Sequence, residues 1–401
     1  MKNLSGALAW FLFIMCLPPG GISAAEPVKI GVLLPLTGSQ AEPALIEKKS
    51  FLMAADEINS AGGVQGKKIE LLIADTQGNP DIGRAAIERL IRREQVLVIG
   101  GGFSSSATWA TISIAQQNKI PFLINSAPAD KITEQGWEYI FRLNQPVSEY
   151  FETFTTFVTQ TASDLQSVAI VHDNTLTGAS EARRFFNTIR ELGLKLAVRE
   201  SYEAGGGDYK AMLGRVKSQR PDLIYMVARD TNDAAVLIGE SRELQLDPKL
   251  FVGGAAGIAR AEFVKNAGKA AEFVTALVPW APSVPYPEAK KMEAKFMARY
   301  RCPPGYHGAE AYAAMQVIGA ALKRASALNP GKVRDALAAT DLMTVYGPVK
   351  FSSYGNKKQQ NKLPTLLVQW IDGKLEVVWP QGLATRKAVY PARGSDELKA
   401  D

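Results

Sequence analysis

From Val28 onward the chain switches between two periods of apolar and polar residues. Short apolar runs, "VKIGVLLPLTG", "KKIELLIAD", "QVLVIGG" and "IPFLINS", read as strands. Between them apolar residues recur every three or four positions. "EKKSFLMAADEINSAGG" sets Phe51, Ala54, Ala55 and Ile58 on one helical face and stops at Gly62 and Gly63, and "RAAIERLIRREQ" does the same with Ile87, Leu90 and Ile91 between charges. A third helix runs from about Ser105 to Asn118. This strand-helix alternation predicts a parallel sheet with helices on both faces.

The pattern restarts at "SVAIVHDNTLTG", where Leu-Thr-Gly of 176–178 echoes 36–38, and continues through "EARRFFNTIRELG", "KLAVRESYEAGGG", "PDLIYMVARD" and "LFVGGAAG". After Ala276 come the proline-rich "LVPWAPSVPYP", two helices, and the strands "GPVKFSS" and "PTLLVQWIDGKLEVVWP", the last a hairpin on an Asp-Gly turn. The expected class is α/β, with two Rossmann-like lobes built on parallel-core sheets.

The first 25 residues stand apart. Lys2 precedes a stretch that is apolar from Ala7 to Leu17 and ends in small residues, the pattern of a secretory signal peptide cut after Ala24 or Ala25. That apolar core is shorter than the ~20 residues of a membrane span. Met15 before Cys16 disfavours a lipoprotein cut. Export leaves Cys302 as the one cysteine, so no intrachain disulfide can form. Basic and acidic residues, 46 against 40 in the whole chain, are spread along it, which gives nucleic-acid binding no support. The tail "ATRKAVYPARGSDELKAD" is polar, without a periodic apolar face, and is expected to be mobile.

Open parallel sheets bind ligands beyond the carboxyl ends of their strands. Candidate loops are therefore Leu36 to Gln40, Gly101 to Ser106, Ser126 to Ala129, His172 to Gly178, Val227 to Asp230 and Gly253 to Gly257. "VLVIGGGFSSSAT" runs a strand through three glycines and three serines into a helix. It is not a dinucleotide fingerprint, because Ser105 stands at the third glycine position, nor a serine elbow, because no glycine follows the serine at the required spacing. "AGGVQGKK" fails as a phosphate loop at Ala61 and Lys68. His172 and His307 are the only histidines, and neither is read as having a zinc-type partner at helical spacing. Enzyme chemistry, metal and cofactor thus lack carriers. A small-anion site survives: unpaired amides at a helix N-terminus, with serine hydroxyls beside them, favour a carboxylate. The competing reading is that Ser104 or Ser105 only caps its own helix.

Together with "AADEINSAGGVQGKKIELLIAD", "IPFLINSAPADKIT", "FRLN", "VAIVHD", "PDLIYM" and "AEAYAAMQVIGAAL", these stretches resemble the periplasmic leucine/isoleucine/valine-binding proteins, solute receptors of ABC importers. The resemblance covers nearly the whole exported chain. It implies the type I periplasmic binding fold, with lobes of 26–144 plus 277–350 and 145–276 plus 351–383, a tail of 384–401, and three crossings near Asn144, Ala276 and Phe351. It also implies a periplasmic monomer that captures a small carboxylate-bearing solute and delivers it to a membrane permease. A sensing domain on the same fold is the rival. By the same resemblance the acid group lies against Ser104, flanked by Phe103 and Ser105, and against the loop of Ser126 and Ala127. Thr177, Arg229 and Ala255 would close from the second lobe, and Tyr150 lies near a crossing, where packing competes with ligand stacking.

The departures concern specificity. Pro128 stands where branched-chain binders place a threonine, so Ser126 is expected to take over. Thr177 and Arg229 replace aromatics, and Ala255 replaces the glutamate that pairs with the ligand's ammonium. That combination argues for an acid other than a plain α-amino acid. Arg229 then offers a fork to a second polar group, unless it pairs with Asp230 or Asp233. Trp109 is read as a packing residue.

Overall fold

The computed structural model describes residues 26–396 except 207, 255 and 256. The expected signal peptide and Ala255 lie outside the described residues. Five strands and four α-helices open the chain: β1 (Val28–Leu34), α1 (Ala41–Ser60), β2 (Ile69–Asp75), α2 (Pro80–Arg92), β3 (Val98–Gly101), α3 (Ser105–Gln117), β4 (Phe122–Ile124), β5 (Ile140–Arg142) and α4 (Glu152–Thr161). A second series follows: β6 (Ser167–Asp173), α5 (Leu176–Glu191), β7 (Lys195–Tyr202), α6 (Lys210–Ser218), β8 (Leu223–Val227), α7 (Thr231–Glu243), β9 (Leu250–Gly254), α8 (Ala261–Ala267) and β10 (Thr275–Val278). The chain ends with α9 (Ala289–Tyr300), α10 (Gly305–Arg324), α11 (Pro330–Ala338), β11 (Asp341–Thr344), β12 (Gly347–Tyr354), β13 (Lys357–Asn361), β14 (Leu366–Ile371) and β15 (Lys374–Trp379).

Local chemistry accounts for many boundaries. Asn79 caps α2 by accepting from the amides of Asp81 and Ile82, with Pro80 at the first helical position. Asp372 and Gly373 both take positive φ, the turn that matches the twist of the β14–β15 hairpin. Strands covered by helices on both faces are continuous apolar runs, as "LIYMV" of β8 is, buried throughout.

Two sheets result, an eight-stranded one in the order β11-β12-β13-β5-β4-β3-β1-β2 and a seven-stranded one in the order β15-β14-β10-β9-β8-β6-β7. Their cores are parallel, with antiparallel strands at one edge. Sheet membership corrects two expected boundaries. β10 runs to Val278 within the second sheet, so the second crossing follows Val278. Phe351 is not at a crossing: it packs edge-on against Phe141, 5.1 Å between ring centres, and β12 and β13 belong to the first sheet. The third crossing is the segment between Asn361 and Leu366. The reason is β13 itself, "KKQQN", whose polar sequence does not read as a strand. Gln360 and Asn361 are buried there because their amides satisfy backbone carbonyls of Asn144 and Leu143.

The tail is a further correction. The Ala392 amide donates to Lys249 O, Val389 N to Gln369 Oε1, and Ser395, 2% exposed, to Asp247. Residues 384–396 therefore strap the second lobe. The Leu-Thr-Gly echo is not a structural equivalence either: Thr37 lies in the loop before α1 and bonds Asp75, whereas 176–178 form the first turn of α5. Among the described residues no helix is long and apolar enough to cross a membrane.

At the tip of β3, Gly101 has φ +100°, and a Cβ there would fall 2.4 Å from Leu33 O of the neighbouring strand. This tight exit delivers the chain to α3. Gly101→Ala is expected to destabilise the protein by more than about 2 kcal/mol, since backbone strain and a main-chain clash add. Urea unfolding monitored by circular dichroism checks it; an unchanged midpoint contradicts the assigned exit.

Candidate ligand-binding cleft

The first lobe brings its five expected residues together. Ser104 is the N-cap of α3, yet its hydroxyl makes no capping bond; it lies 3.4 Å from Gly78 O and 3.0 Å from Ser106 Oγ. The self-capping reading of Ser104 therefore fails, and the first amides of α3 have no intrahelical acceptor. Ser105 Oγ accepts from Ala129 N at 3.3 Å, and Ala127 N donates to Gly102 O at 2.9 Å, which seats the β4 loop beside the serines. Phe103 is half-buried and stacks on His307, 4.9 Å between ring centres, and Tyr306 packs against His307 at 4.1 Å.

Ser126 is differently engaged than expected. Its hydroxyl stands 2.5 Å from Glu47 Oε1 and 2.7 Å from Glu310 Oε2, and it accepts from Asn125 Nδ2 at 2.9 Å. A hydroxyl carries one proton, so one of the two carboxyls must itself donate. Glu310 fits that role: burial first, and the Glu47 carboxylate second, push its pKa well above the usual carboxylate range. Tyr346 Oη contacts Glu310 Oε1 at 3.1 Å and donates to Gln145 Oε1 at 2.6 Å, while Gln145 Nε2 reaches Pro364 O. The acid cluster is thus joined by hydrogen bonds to two of the crossings.

In the second lobe, Arg229 is half-exposed and pairs with neither Asp230 nor Asp233. Its Nε lies 3.5 Å from Asp173 Oδ2 and its Nη2 donates to Thr175 Oγ1 at 3.1 Å. Asp230 instead caps α7, and the buried Asp233 accepts from Gly205 N and Tyr209 Oη. Thr177 is exposed on the first turn of α5, which Thr175 caps. Glu181, one turn further, accepts from Tyr225 Oη at 2.8 Å. Gly254 permits this, because a Cβ at that position would fall 2.2 Å from Glu181 Oε1.

Tyr150 stands between the lobes. Its ring packs edge-on against Phe151 at 6.0 Å, and its carbonyl accepts from Thr365 Oγ1 in the third crossing. Burial raises its pKa well above the usual value, with Tyr306, Glu181 and Glu310 adding in the same direction. First-lobe and second-lobe groups therefore face one another around this ring. His172 is structural: Nδ1 faces Asp173 O at 2.7 Å and Nε2 accepts from Arg199. Trp109 packs in parallel against Trp137.

Sequence reasoning missed Glu47, His307, Glu310 and Glu181. Two signals were present. Glu310 lies three residues after His307, one turn along α10, and Glu47 falls four residues before Phe51 on the apolar face of α1.

Comparison with known proteins places this architecture. The periplasmic binding protein family profile matches residues 27–374. The leucine-, isoleucine-, valine-, threonine-, and alanine-binding protein of Pseudomonas aeruginosa is 28% identical over 335 residues, 84% of this chain and 88% of its own. The branched-chain amino acid transporter substrate binding protein LivJ of Streptococcus pneumoniae, solved with isoleucine, is 26% identical with a TM-score of 0.70, covering 88% of this chain and all (100%) of its own. An ABC transporter solute binding protein from R. palustris, solved with benzoate, shares the fold at 19% identity and a TM-score of 0.69, over 91% and 98% of the two chains. With two facing α/β lobes of the type I plan and a family match across nearly all described residues, the chain belongs to the periplasmic binding protein family, the extracytoplasmic solute receptors of ABC importers, and is a binding protein and not an enzyme.

Proposed function

We propose that this receptor is exported by residues 1–25 to the periplasm, acts as a monomer, and captures a small organic acid between its lobes for delivery to its permease. The observation that carries the ligand class is the uncapped start of α3: Ser104 and the first amides of the helix present donors and the positive end of the helix dipole at a strand tip. Isoleucine and benzoate, the ligands of two structural relatives, share little except a carboxylate. In this reading Phe103, Ser104 and Ser105 hold the acid group, with Ala127 beside them, and Thr177 and Arg229 close from the second lobe. Arg229 donates one of its five N–H groups to Thr175 and lies 3.5 Å from Asp173, which leaves donors for a second polar group of the ligand.

A thermal-shift screen of amino acids, aromatic acids and short aliphatic acids identifies the ligand, because a solute at a hundred times its Kd adds ~2.7 kcal/mol. Stabilisation by none of the acids contradicts the ligand class. With the ligand in hand, Ser104→Ala is expected to cost roughly 1 to 3 kcal/mol of binding by calorimetry, since hydrogen bonds to charged groups are of that size. Arg229→Ala is expected to cost as much or more; full affinity in that variant removes Arg229 from the site. Small-angle scattering should show compaction at saturation, through the crossings that follow Asn144, Val278 and Asn361, and an unchanged profile contradicts hinge closure.

A further inference from the structure

The ring of His307 lies on Phe103, the residue that precedes Ser104, with 4.9 Å between ring centres. It is thereby held beside the start of α3, and no step of solute capture described above uses it. Its inner edge is committed: Nδ1 is 3.2 Å from Oε1 of Glu47, a carboxylate wholly sealed from solvent. Ser126 and Asn125 donate to the same carboxylate. Turning the ring would set a C–H group in place of Nδ1 against it, so this contact fixes the ring's orientation and keeps a proton on Nδ1.

The outer edge is open. Nε2 has no hydrogen-bond partner among the described residues, it is not one of the sealed polar atoms, and the side chain is 21% exposed. His172 shows the alternative, with Nδ1 engaged at Asp173 O and Nε2 by Arg199. The two nitrogens of an imidazole point to opposite sides of the ring, so a ring anchored inward through Nδ1 directs Nε2 away from the floor and into the cleft. With Nδ1–H given to Glu47, a neutral ring presents only a lone pair at Nε2, which repels a carboxylate. One proton taken from solvent turns Nε2 into a charged donor and leaves an imidazolium between two carboxylates, that of Glu47 and that of the solute.

We propose that His307 is a ligand-binding residue, one that takes up a proton as the acid binds and donates from Nε2 to its carboxylate. The inference rests on the reading of the α3 start as the seat of the acid group. Affinity therefore falls as pH rises through the range in which imidazoles lose their charge. The titratable groups that face the ring among the described residues are Glu47 on α1 and Glu310 and Tyr306 on α10. His307→Gln leaves all three in place, keeps an N–H donor and cannot take the proton.

Nitrogen NMR of the protein, isotope-labelled at histidine and serine, tests it with acetate as a probe that carries a carboxylate and little else. In the free protein at about pH 8 the ring signals lost in His307→Gln should report a protonated Nδ1 and a bare Nε2, and the opposite tautomer overturns the proposal. Acetate should carry that Nε2 signal to its protonated position while the Ser105 and Ser106 amides shift. Its Kd should rise by about tenfold or more from about pH 6 to about pH 8 in the wild type and by less than about twofold in His307→Gln. Equal pH dependence in the two proteins overturns the proposal. Amide shifts with an unmoved His307 ring overturn it and leave the acid site standing, whereas acetate that moves neither overturns both readings.

Discussion

The guanidinium of Arg142 is wholly buried, and its burial can be tolerated only where its donors are met. Nε donates to Gln360 Oε1 at 2.6 Å, Nη1 to Ala129 O at 2.6 Å and Nη2 to Thr133 Oγ1 at 3.0 Å. Burial lowers its pKa to about 10, opposed by Asp130, Glu149 and Glu134, so it stays charged at neutral pH. The acceptors Ala129 and Thr133 lie in the β4–β5 loop, and Gln360 comes from β13, more than two hundred residues on. Gln360 passes the constraint along by donating to Asn144 O, and Asn144 donates to Ser126 O. One buried charge thereby fixes the loop beside the candidate anion site, the first crossing and the strand that leads into the third.

Around that hub the two lobes offer different chemistry to the cleft. The first lobe supplies oriented dipoles, the amides and hydroxyls of the α3 start, over a floor of buried carboxyls and stacked rings. The second supplies side-chain charges on the tips of β6 and β8 and on α5, with Arg229 held by Asp173 and Glu181 by Tyr225. Dipoles that belong to the backbone cost no reorganisation when a ligand arrives, whereas an exposed arginine keeps freedom to choose its partner. In the proposed reading, generic recognition of an acid falls to the first lobe and selection among acids to the second.

The fold was legible because its information is local. A run such as "VLVI" reads as a buried strand once glycines bound it, three glycines after it open the way into α3, and the Asp-Gly pair closes the last hairpin, all within a few residues of chain. The same locality limited the site. The convergence of Phe103, Ser104, Ser105, Ser126 and Ala127 followed from two adjacent strand tips. The glutamate and histidine beneath them did not, because Glu47 and His307 are 260 positions apart.

By itself the sequence determined two α/β lobes, the strand tips that face the cleft and the serine-rich start of α3, since periodicity and turn chemistry are properties of neighbouring residues. Tertiary structure decided which polar groups are buried and with whom: the polar β13 became an interior strand because Arg142 needed its amide, Arg229 took Asp173, and the tail docked against Asp247 and Lys249. A buried polar side chain is stable only when another group satisfies it, and nothing in its own stretch of chain says which distant group that will be.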